Sequence, residues 1–535
     1  MHFARWASTH VLMAPDGPGT GGSDTDPPPN VDEARRRIAE AAADGRTELD
    51  LGGLGLRELP EELFALTGLE TLLLGVPKPD GPTSVGTAFP SNRLTALDPR
   101  VGTALTKLRV LDLTANQLTG LPPEIGKLRA LEVLFLLENK IESLPDEIGS
   151  LQALRQISLT SNRLTALGTG ICACVSLVQL DLRSNPLNGL PEEIGNLGAL
   201  EELWLTLSPI GSLPATIGKL TKLRILQLDN TKLGTFPPEI GTCGALEQLS
   251  AGANQLTALP AEIGQLSRLE TLDLSGNAIS VLPSEIGNLT ALKSLDLGGT
   301  NTIAALPEEI GQLRSLEMLN LGNNPITALP ASIGNLSKLT NLTLSGCQVA
   351  ALPQEIGGLT ALRELFLEGN PLTAFPDEIG QLTELHSINL VNTGIAALPH
   401  TIGNWKKLVN LEILVHAIES LPEEIGGLAS CQFLQIDTGP LAALPASIGD
   451  LAALQFLQVG SNKLRSLPRE LGKLTGLKEL ALEFNQLRAL PKELGNLTAL
   501  TRLELGGNEQ LEVPPPDIVA KGIPAILEFL RGLPE

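Results

Sequence analysis

Leucines recur along most of this chain at fixed offsets, and polar residues alternate with them. The segment LRVLDLTANQLTGLPPEIGKLRA, which begins at Leu108, shows the frame L-x-x-L-x-L-x-x-N-x-L-x-x-L-P-x-x-I-G-x-L-x-x. The frame restarts every 23 residues up to Leu292, gains one residue there, and continues from Leu316 to Leu500. Such a period, with leucines at these offsets, is typical of a solenoid that contains one strand in each coil.

The alternation of Leu111, Asp112 and Leu113 predicts a short strand whose leucines point inward. One coil cannot bury its leucines alone, so its stability comes from stacking against the coils on either side. The strands then form a parallel sheet, and the L-P-x-E-I-G-x-L segment predicts a short helical or 3-10 turn on the opposite face. Because strands are narrower than these turns, we expect a curved α/β solenoid of about 20 coils with the sheet on its concave face.

Asparagine recurs at the ninth position of the frame, where the chain leaves the strand. A carboxamide carries two donors and one acceptor, so it can satisfy the backbone groups of a buried turn. We expect this ladder to stabilise the stack. Its members are Asn116, Asn139, Asn162, Asn185, Asn254, Asn277, Asn324, Asn370, Asn462 and Asn485.

These motifs resemble the leucine-rich repeat family over residues 46–531. The L-P-x-E-I-G-x-L form is similar to the repeats of bacterial Roco proteins, plant Ras-group-related repeat proteins and Scribble-like scaffolds. The resemblance implies a curved repeat arc that serves as a binding platform, with small GTPases as one class of partner. In Roco proteins a GTPase domain follows the repeats; because Glu535 is the last residue here, we expect that domain to be absent.

The pattern divides the chain into four parts. Residues 1–30 are rich in Gly, Pro, Asp and Ser, a composition typical of a disordered tail. Residues 31–45 predict a helix that caps the first coil. The repeats follow over residues 46–513, and residues 514–535 predict a C-terminal capping helix.

One coil contains an insertion over residues 75–91, after which the asparagine ladder resumes at Asn92. As a surface loop the insertion would destabilise the coil little, because the entropy of loop closure rises slowly with length. As a lid or specificity loop beside the concave face it would use Phe89 as an apolar anchor. Both interpretations stay open.

Composition and motifs argue against several classes of function. The net charge of −22 disfavours nucleic acid and anionic membranes, because both bind lysine and arginine. No apolar run approaches the roughly 18 residues of a membrane span. The histidines are scattered, the Gly-Lys pairs lack the Ser or Thr of a P-loop, and Gly17-x-Gly19-x-x-Gly22 neither follows a strand nor opens a helix. We expect no enzyme activity, no cofactor and no metal.

The five cysteines indicate buried thiols and not disulfides. Cys174 and Cys243 replace the leucine of the outer turn, Cys431 replaces the first leucine of a coil, and Cys347 replaces a ladder asparagine. The pair Cys172-x-Cys174 lacks two further metal ligands nearby. We therefore expect a reducing, cytoplasmic location.

Curvature should expose frame positions 3, 5, 7 and 8 on the concave face, where large apolar residues are not needed for packing. Exposed aromatic anchors are typical of protein interfaces, although single exposed apolar residues are also a normal feature of surfaces. Two groups stand out. The N-terminal group is Phe135, Leu137, Trp204 and Leu207, and the C-terminal group is Phe366, Leu414, Val415, Phe433, Phe456 and Phe484.

The C-terminal group coincides with three successive coils that lack the ladder asparagine, at Thr393, His416 and Gly439. Local irregularity beside exposed aromatic residues is typical of a functional site. A protein partner with a basic rim around an apolar knob would complement the acidic residues that flank both groups on the same concave wall. Those residues are Glu202, Glu364, Glu368, Glu412, Asp437, Glu479 and Glu483.

We therefore predict a monomeric, non-enzymatic scaffold or regulator that binds a protein partner on its concave face. One alternative is a secreted bacterial effector that engages host proteins, which requires an export signal in residues 1–30. Another is a regulatory subunit of a GTPase pathway, which predicts a co-purifying nucleotide-binding protein. Heavy use of Ala, Gly, Pro and Arg indicates a GC-rich bacterium.

Overall fold

The computed structural model describes residues 28–76 and 91–534. Over these residues, 20 short strands form one parallel sheet. Each strand pairs with the strand of the next coil, so equivalent frame positions lie side by side, as Leu111 does beside Leu134. Most of the predicted tail and of the insertion loop, Phe89 included, lies outside the described residues.

The strands β1 to β20 are, in order, Glu48–Asp50, Thr71–Leu73, Val110–Asp112, Val133–Phe135, Gln156–Ser158, Gln179–Asp181, Glu202–Trp204, Ile225–Gln227, Gln248–Ser250, Thr271–Asp273, Ser294–Asp296, Met318–Asn320, Asn341–Thr343, Glu364–Phe366, Ser387–Asn389, Asn410–Leu414, Phe433–Asp437, Phe456–Gln458, Glu479–Ala481 and Arg502–Glu504. The α-helices of the described residues are α1 (Val31–Asp44), α2 (Arg100–Ala104), α3 (Pro516–Val519) and α4 (Ile523–Arg531).

On the face opposite the sheet, nearly every coil carries a 3-10 helix of five residues. These helices are Glu61–Ala65, Pro123–Lys127, Asp146–Ser150, Thr169–Ala173, Glu192–Asn196, Ala215–Lys219, Pro238–Thr242, Ala261–Gln265, Ser284–Asn288, Glu308–Gln312, Ala331–Asn335, Gln354–Gly358, Asp377–Gln381, His400–Asn404, Glu423–Gly427, Ala446–Asp450, Arg469–Lys473 and Lys492–Asn496.

One continuous hydrophobic core runs between the sheet and these outer turns. Leu111 and Leu113 from the strand side are fully buried, and Ile125 from the outer turn is 1% exposed. Each such side chain contributes on the order of 1.5 to 3 kcal/mol. The prediction of a solenoid of about 20 coils, with a concave parallel sheet and short convex turns, is confirmed.

The glycine that recurs in the outer turn is required by packing between coils. It does not end the turn, because it lies inside the 3-10 helix, as Gly287 does in Ser284–Asn288. A Cβ atom at Gly287 would lie only 2.6 Å from the carbonyl oxygen of Glu309 in the next coil. Glycine is therefore needed because successive outer turns approach each other closely.

The asparagine ladder joins each coil to the preceding one. Asn162 accepts a hydrogen bond from the Ile141 backbone N–H through Oδ1 at 2.9 Å. Its Nδ2 donates to the Leu136 carbonyl of the preceding coil and to the Leu159 carbonyl of its own, both at 2.9 Å. Asn92, which follows the insertion, makes the equivalent bonds, and so do Asn301 and Asn508.

Helices close both ends of the stack. At the N-terminal end, α1 begins where Asn30 Oδ1 accepts from the Glu33 N–H at 3.2 Å, and Gly45 follows it with φ +63°. The side chains of Ala34 and Ile38 are buried, and both belong to the same core as the repeats.

The C-terminal segment forms two short helices instead of the single predicted one. Gly522, with φ +86°, separates α3 from α4, and Pro524 in the first turn of α4 lacks the N–H that a continuous helix would use. Leu530 of α4 is fully buried, and α4 packs against the outer turn Lys492–Asn496. Leu503 of β20 stays only half-buried, because α4 covers the convex side of the stack.

Replacing a ladder asparagine should destabilise the stack. We expect Asn162→Ala to lower the free energy of unfolding by about 2 to 4 kcal/mol, because buried backbone groups on two coils lose their partners. Urea unfolding followed by circular dichroism measures the effect. Asn335→Ala, at an exposed outer-turn asparagine, is the control and should change stability by less than about 0.5 kcal/mol. Equal shifts in both variants would contradict the role of the ladder.

Candidate functional site

Side chains reach the concave face in four columns across the sheet. In β10, Leu272 is buried, whereas the flanking Thr271 and Asp273 are half-buried on the concave side. Frame positions 3 and 5 form two columns in this way. Positions 7 and 8, which are Ser275 and Gly276 in the same coil, form two more where the strand ends. These four columns are the candidate surface.

Phe135 does not belong to the exposed part of this surface. Its side chain is only 5% exposed, so the prediction that it is an exposed anchor is wrong. The ring lies at position 5 of β4, paired with Asp112 on one side and Ser158 on the other. Trp204 and Phe366 occupy the same frame position and are only half-buried, so the burial of Phe135 is a property of its own place in the sheet.

The remainder of the N-terminal group is partly engaged within the protein. Trp204 is half-buried, and the guanidinium carbon of Arg183 lies 5.3 Å from the centroid of its ring. Arg183 also forms an ion pair with Asp181, with Nη2 and Oδ2 2.6 Å apart. Leu137 is half-buried, and Leu207 is 53% exposed. Only Leu207 is thus fully available to a partner.

The C-terminal group keeps more of its apolar surface available. The rings of Phe433 and Phe456, on adjacent strands, contact each other with centroids 6.2 Å apart and planes tilted by 45°. Both are half-buried, as are Leu414 and Phe366. The structure therefore brings Phe433 and Phe456 together at the starts of β17 and β18. It places Leu414 at the other end of β16, beside Asp437, and Phe366 on β14.

Position 8 of the frame has a backbone property that sequence reasoning missed. The chain there adopts the left-handed conformation, which small or polar residues such as Gly276 and Asn323 tolerate well. Leu207, Val415 and Phe484 occupy the same position with φ of +63°, +53° and +55°. The frequent Gly, Asn and Ser at this position were the signal that could have revealed it.

These three residues lower stability for two reasons, since they expose apolar side chains to water and they hold the backbone in the left-handed conformation. Val415 is 51% exposed and Phe484 is 65% exposed, so packing does not explain them. A bulky side chain in the left-handed region costs on the order of 1 to 3 kcal/mol, and Val is disfavoured further by its branched Cβ. Strained residues of this kind cluster at binding sites.

The asparagine ladder is interrupted beside these residues. Thr393 Oγ1 donates to the Leu390 carbonyl at 3.0 Å, and Gly439 has no side chain to contribute. The strands lengthen at the interruption, since β16 and β17 have five residues and pair from Asn410 beside Phe433 onward. Two ladder substitutions elsewhere, Ser208 and Cys347, retain a hydrogen bond to the preceding coil.

His416 occupies the middle coil of the interruption. Its side chain is 7% exposed, and its ring fills the space above Gly439. Nδ1 accepts a hydrogen bond from the Ile418 N–H at 3.0 Å, and buried Nε2 has no partner among the described residues. Burial lowers the pKa of His416 to about 4, so the imidazole is neutral at physiological pH.

The charged residues of the four columns are mostly acidic. From the coil at Leu69 to the coil at Leu500, their basic members are Arg183 and Arg502. Both pair with acidic residues of the same surface, Arg183 with Asp181 and Arg502 with Glu479. The acidic members are Asp112, Glu138, Asp181, Glu202, Asp229, Asp273, Asp296, Glu364, Glu368, Glu412, Asp437, Glu479, Glu483 and Glu504.

Two of these carboxylates have oxygens that lack a partner. Asp437 Oδ2 accepts from Gln435 Nε2 at 2.7 Å, whereas Oδ1 is buried with no partner in the described part of the chain. Burial raises the pKa of Asp437, whereas interactions of its carboxyl group with the Gln435 side chain and the Gly460 backbone N–H lower it. Glu483 Oε2 is likewise buried and unpaired there. Buried polar atoms normally have partners, so these two oxygens are suited to an external donor.

Other chemistry is not assembled in residues 28–76 and 91–534. No group of three or more His, Cys, Asp or Glu side chains there could hold a metal ion. No helix among the described residues is long and apolar enough to span a membrane. All five cysteines are buried and free, as the sequence predicts, and burial raises the pKa of Cys174 and Cys243 to about 11, which makes these thiols unreactive at neutral pH.

Comparison with protein families identifies the repeat. A family model described as a leucine-rich repeat region matches residues 168–256, 284–370 and 411–513. A second model, described as a leucine rich repeat, matches residues 106–164 and 244–303. Comparison with curated protein sequences finds no significant match.

Solved structures show the same architecture. A leucine-rich-repeat protein of Leptospira interrogans is 35% identical, with 77% of this chain and 100% of that chain covered and a TM-score of 0.58. The plant peptide hormone receptor RGFR1, in complex with RGF2, is 29% identical, with 83% and 75% covered and a TM-score of 0.60. YopM from Yersinia enterocolitica is 22% identical, with 96% and 98% covered and a TM-score of 0.61, a likeness that shows the fold alone.

Relieving the strain at position 8 should stabilise the protein. We expect Val415→Asn to raise the free energy of unfolding by about 1 kcal/mol, because asparagine tolerates the left-handed conformation. Chemical unfolding measures the change. Val391→Asn is the matched control, since Val391 lies on the concave face without a positive φ, and it should not stabilise. A loss of stability in Val415→Asn would mean that Val415 is held by packing.

Acidification should destabilise the protein through His416. The unfolded imidazole takes up a proton near its usual pKa of 6.5, whereas the folded one does so only near 4, so stability falls as pH decreases between these values. The loss approaches about 3 kcal/mol. Unfolding free energies measured from neutral pH to about pH 4.5 should show this loss in the wild type and less of it in His416→Asn. Parallel profiles for both proteins would contradict it.

Proposed function

The chain belongs to the leucine-rich-repeat family, whose members are binding scaffolds, and from that premise we propose that it is a non-enzymatic scaffold or regulator of another protein. The partner binds the C-terminal part of the concave face. Affinity comes from the apolar residues of β16 to β19 and their coils, and selectivity comes from the surrounding carboxylates.

One observation carries the proposal. Val415 and Phe484 are large apolar residues that are both exposed and held in a left-handed backbone. Neither the core nor the turn benefits from them, whereas an interface gains from exposed apolar anchors. The contacting pair Phe433 and Phe456 lies on β17 and β18, the two strands between the coils of Val415 and Phe484, and adds a second apolar element.

The N-terminal group is a weaker candidate for the same role. Phe135 is buried, and one face of the Trp204 ring is engaged by Arg183. Leu207 alone combines exposure with a positive φ in that group. A single exposed leucine is common on protein surfaces, so we favour the C-terminal part.

The proposal extends to the setting of the protein. The net charge of −22 favours a partner with a basic or neutral surface over nucleic acid. Small GTPases are one such class, and this suggestion rests on the resemblance of the repeats to those of Roco and plant Ras-group-related proteins. We further propose a monomeric protein in the cytoplasm, the location that five unpaired, buried cysteines favour.

Affinity purification from native lysate tests the proposal. We expect wild-type protein to retain a partner that the double variant Phe433→Ala, Phe456→Ala loses at the same salt concentration, because both rings leave the interface. The matched control is Val133→Ala with Ile225→Ala, at the same frame position and similarly half-buried on β4 and β8. It should retain the partner.

Stability measurements keep this comparison interpretable. Each double variant should lose only about 1 to 2 kcal/mol of unfolding free energy, because the removed side chains are half-buried. If both variants recover the same proteins as the wild type, the C-terminal part is not the site, and the surface around Trp204 and Leu207 takes its place as the candidate.

A further inference from the structure

Four consecutive strands, β16 to β19, present two apolar borders with a polar strip between them. We call this region the β16–β19 window. Phe433 and Phe456 form the border at the starts of the strands. Val415 and Phe484 mark the other border, just after the strands end. Asp437 and Glu483 lie next to this second border, at position 7 of their coils.

Gly460 makes a notch in the polar strip. It occupies position 7 on the coil between those of Asp437 and Glu483, and it has no side chain. A Cβ atom at Gly460 would lie 2.9 Å from the Cδ atom of Glu483, so this carboxyl group leans over the glycine. Asp437 flanks the notch from the preceding coil. Gly460 is itself buried, so the carboxyl group of Glu483 covers the notch, and Asp437 borders it from the other side.

Among the residues that the structure describes, no Lys or Arg forms an ion pair with Asp437 or Glu483 at the notch. Asp437 Oδ1 and Glu483 Oε2 are buried without partners in the described residues. The nearest basic residue of the columns, Arg502, is already paired with Glu479 and Glu504. Unpaired buried acceptors destabilise a protein until a donor reaches them, and a charged donor forms the stronger hydrogen bonds. The chemistry that complements the notch is therefore a Lys or Arg side chain.

The spacing of the window fits an extended segment. Parallel strands lie about 4.8 Å apart, so Val415 and Phe484, three coils apart, are separated by about 14 Å across the sheet. An extended chain advances about 3.3 Å per residue, so about four residues span that distance. The notch at Gly460 falls about three residues from Val415 on the same scale.

We infer that the β16–β19 window binds an extended, basic segment of the partner protein, in which a Lys or Arg enters the notch at Gly460 and two apolar residues, about four positions apart, contact Val415 and Phe484. This inference rests on the proposed function and names its ligand class. A second copy of this chain is a poor occupant, because it would bring another net charge of −22 against an acidic wall.

A random-peptide library displayed on phage is the test, with the full chain as bait. We expect enriched peptides to carry a Lys or Arg between apolar residues about four positions apart. Counter-selection uses Asp437→Asn with Glu483→Gln, which removes both charges and keeps both shapes. The matched control is Asp273→Asn with Asp296→Asn, on the same concave face at β10 and β11.

Affinities of the enriched peptides complete the test. Fluorescence anisotropy should show binding at least about tenfold weaker for the Asp437, Glu483 variant and unchanged for the control, with affinity that falls as salt rises. Equal binding to both variants, enriched peptides without Lys or Arg, or no enrichment at all would each overturn the inference. Self-association of the wild type that the variant loses would instead assign the window to a second copy.

The lysate experiment distinguishes a failure of the proposed function from a failure of the inferred ligand class. If the native partner is lost from the Phe433, Phe456 variant but retained by the Asp437, Glu483 variant, the proposed function stands and the basic-segment inference fails. If neither variant changes what is captured, both fail. Loss of the native partner from both variants, with the Asp273, Asp296 control unaffected, supports both.

Discussion

The hydrogen bonds of the asparagine ladder are the constraint on which the rest of this structure depends. At the end of every strand the chain must turn inward, into a core that offers no water to its backbone groups. One carboxamide, as at Asn162, satisfies an N–H and a carbonyl of the preceding coil together with a carbonyl of its own. Adjacent coils are therefore joined in a fixed register, and the leucines of each coil meet those of the next.

The ladder also dictates the residue that precedes it. To place the asparagine side chain under the turn, the backbone at position 8 adopts a positive φ in coil after coil, which favours Gly, Asn and other small or polar residues. Position 8 consequently reports on selection more clearly than the other concave columns do. A large residue at position 5, such as Phe135, can be buried. Val415 at position 8 is instead exposed, and its backbone is held in the unfavourable left-handed conformation.

The sequence predicts the features that repeat in every coil better than the features of single positions. Properties that repeat were accessible: the period, the parallel sheet, the convex turns and the placement of Asn92 after the insertion all depend on side chains that recur in register. Properties that belong to a single position could not be predicted from the sequence. Phe135 is buried although Trp204 and Phe366 at the same frame position are half-buried. The division of the C-terminal helix depends on Gly522 and Pro524 together, and the notch at Gly460 depends on how far Glu483 leans across a coil boundary.

The coils that lack the ladder asparagine lie beside the proposed binding residues. His416 and Gly439 replace asparagine on neighbouring coils, and there the strands extend and the sheet carries Leu414 beside Asp437. A regular coil at that point would turn inward earlier and shorten the surface. Loss of ladder hydrogen bonds, a buried neutral imidazole and two strained apolar residues all lower stability, and they occur within a few coils of each other. Their joint location is understandable if the stability given up there serves binding, since the remaining coils, which have regular ladders, can support a locally unfavourable segment.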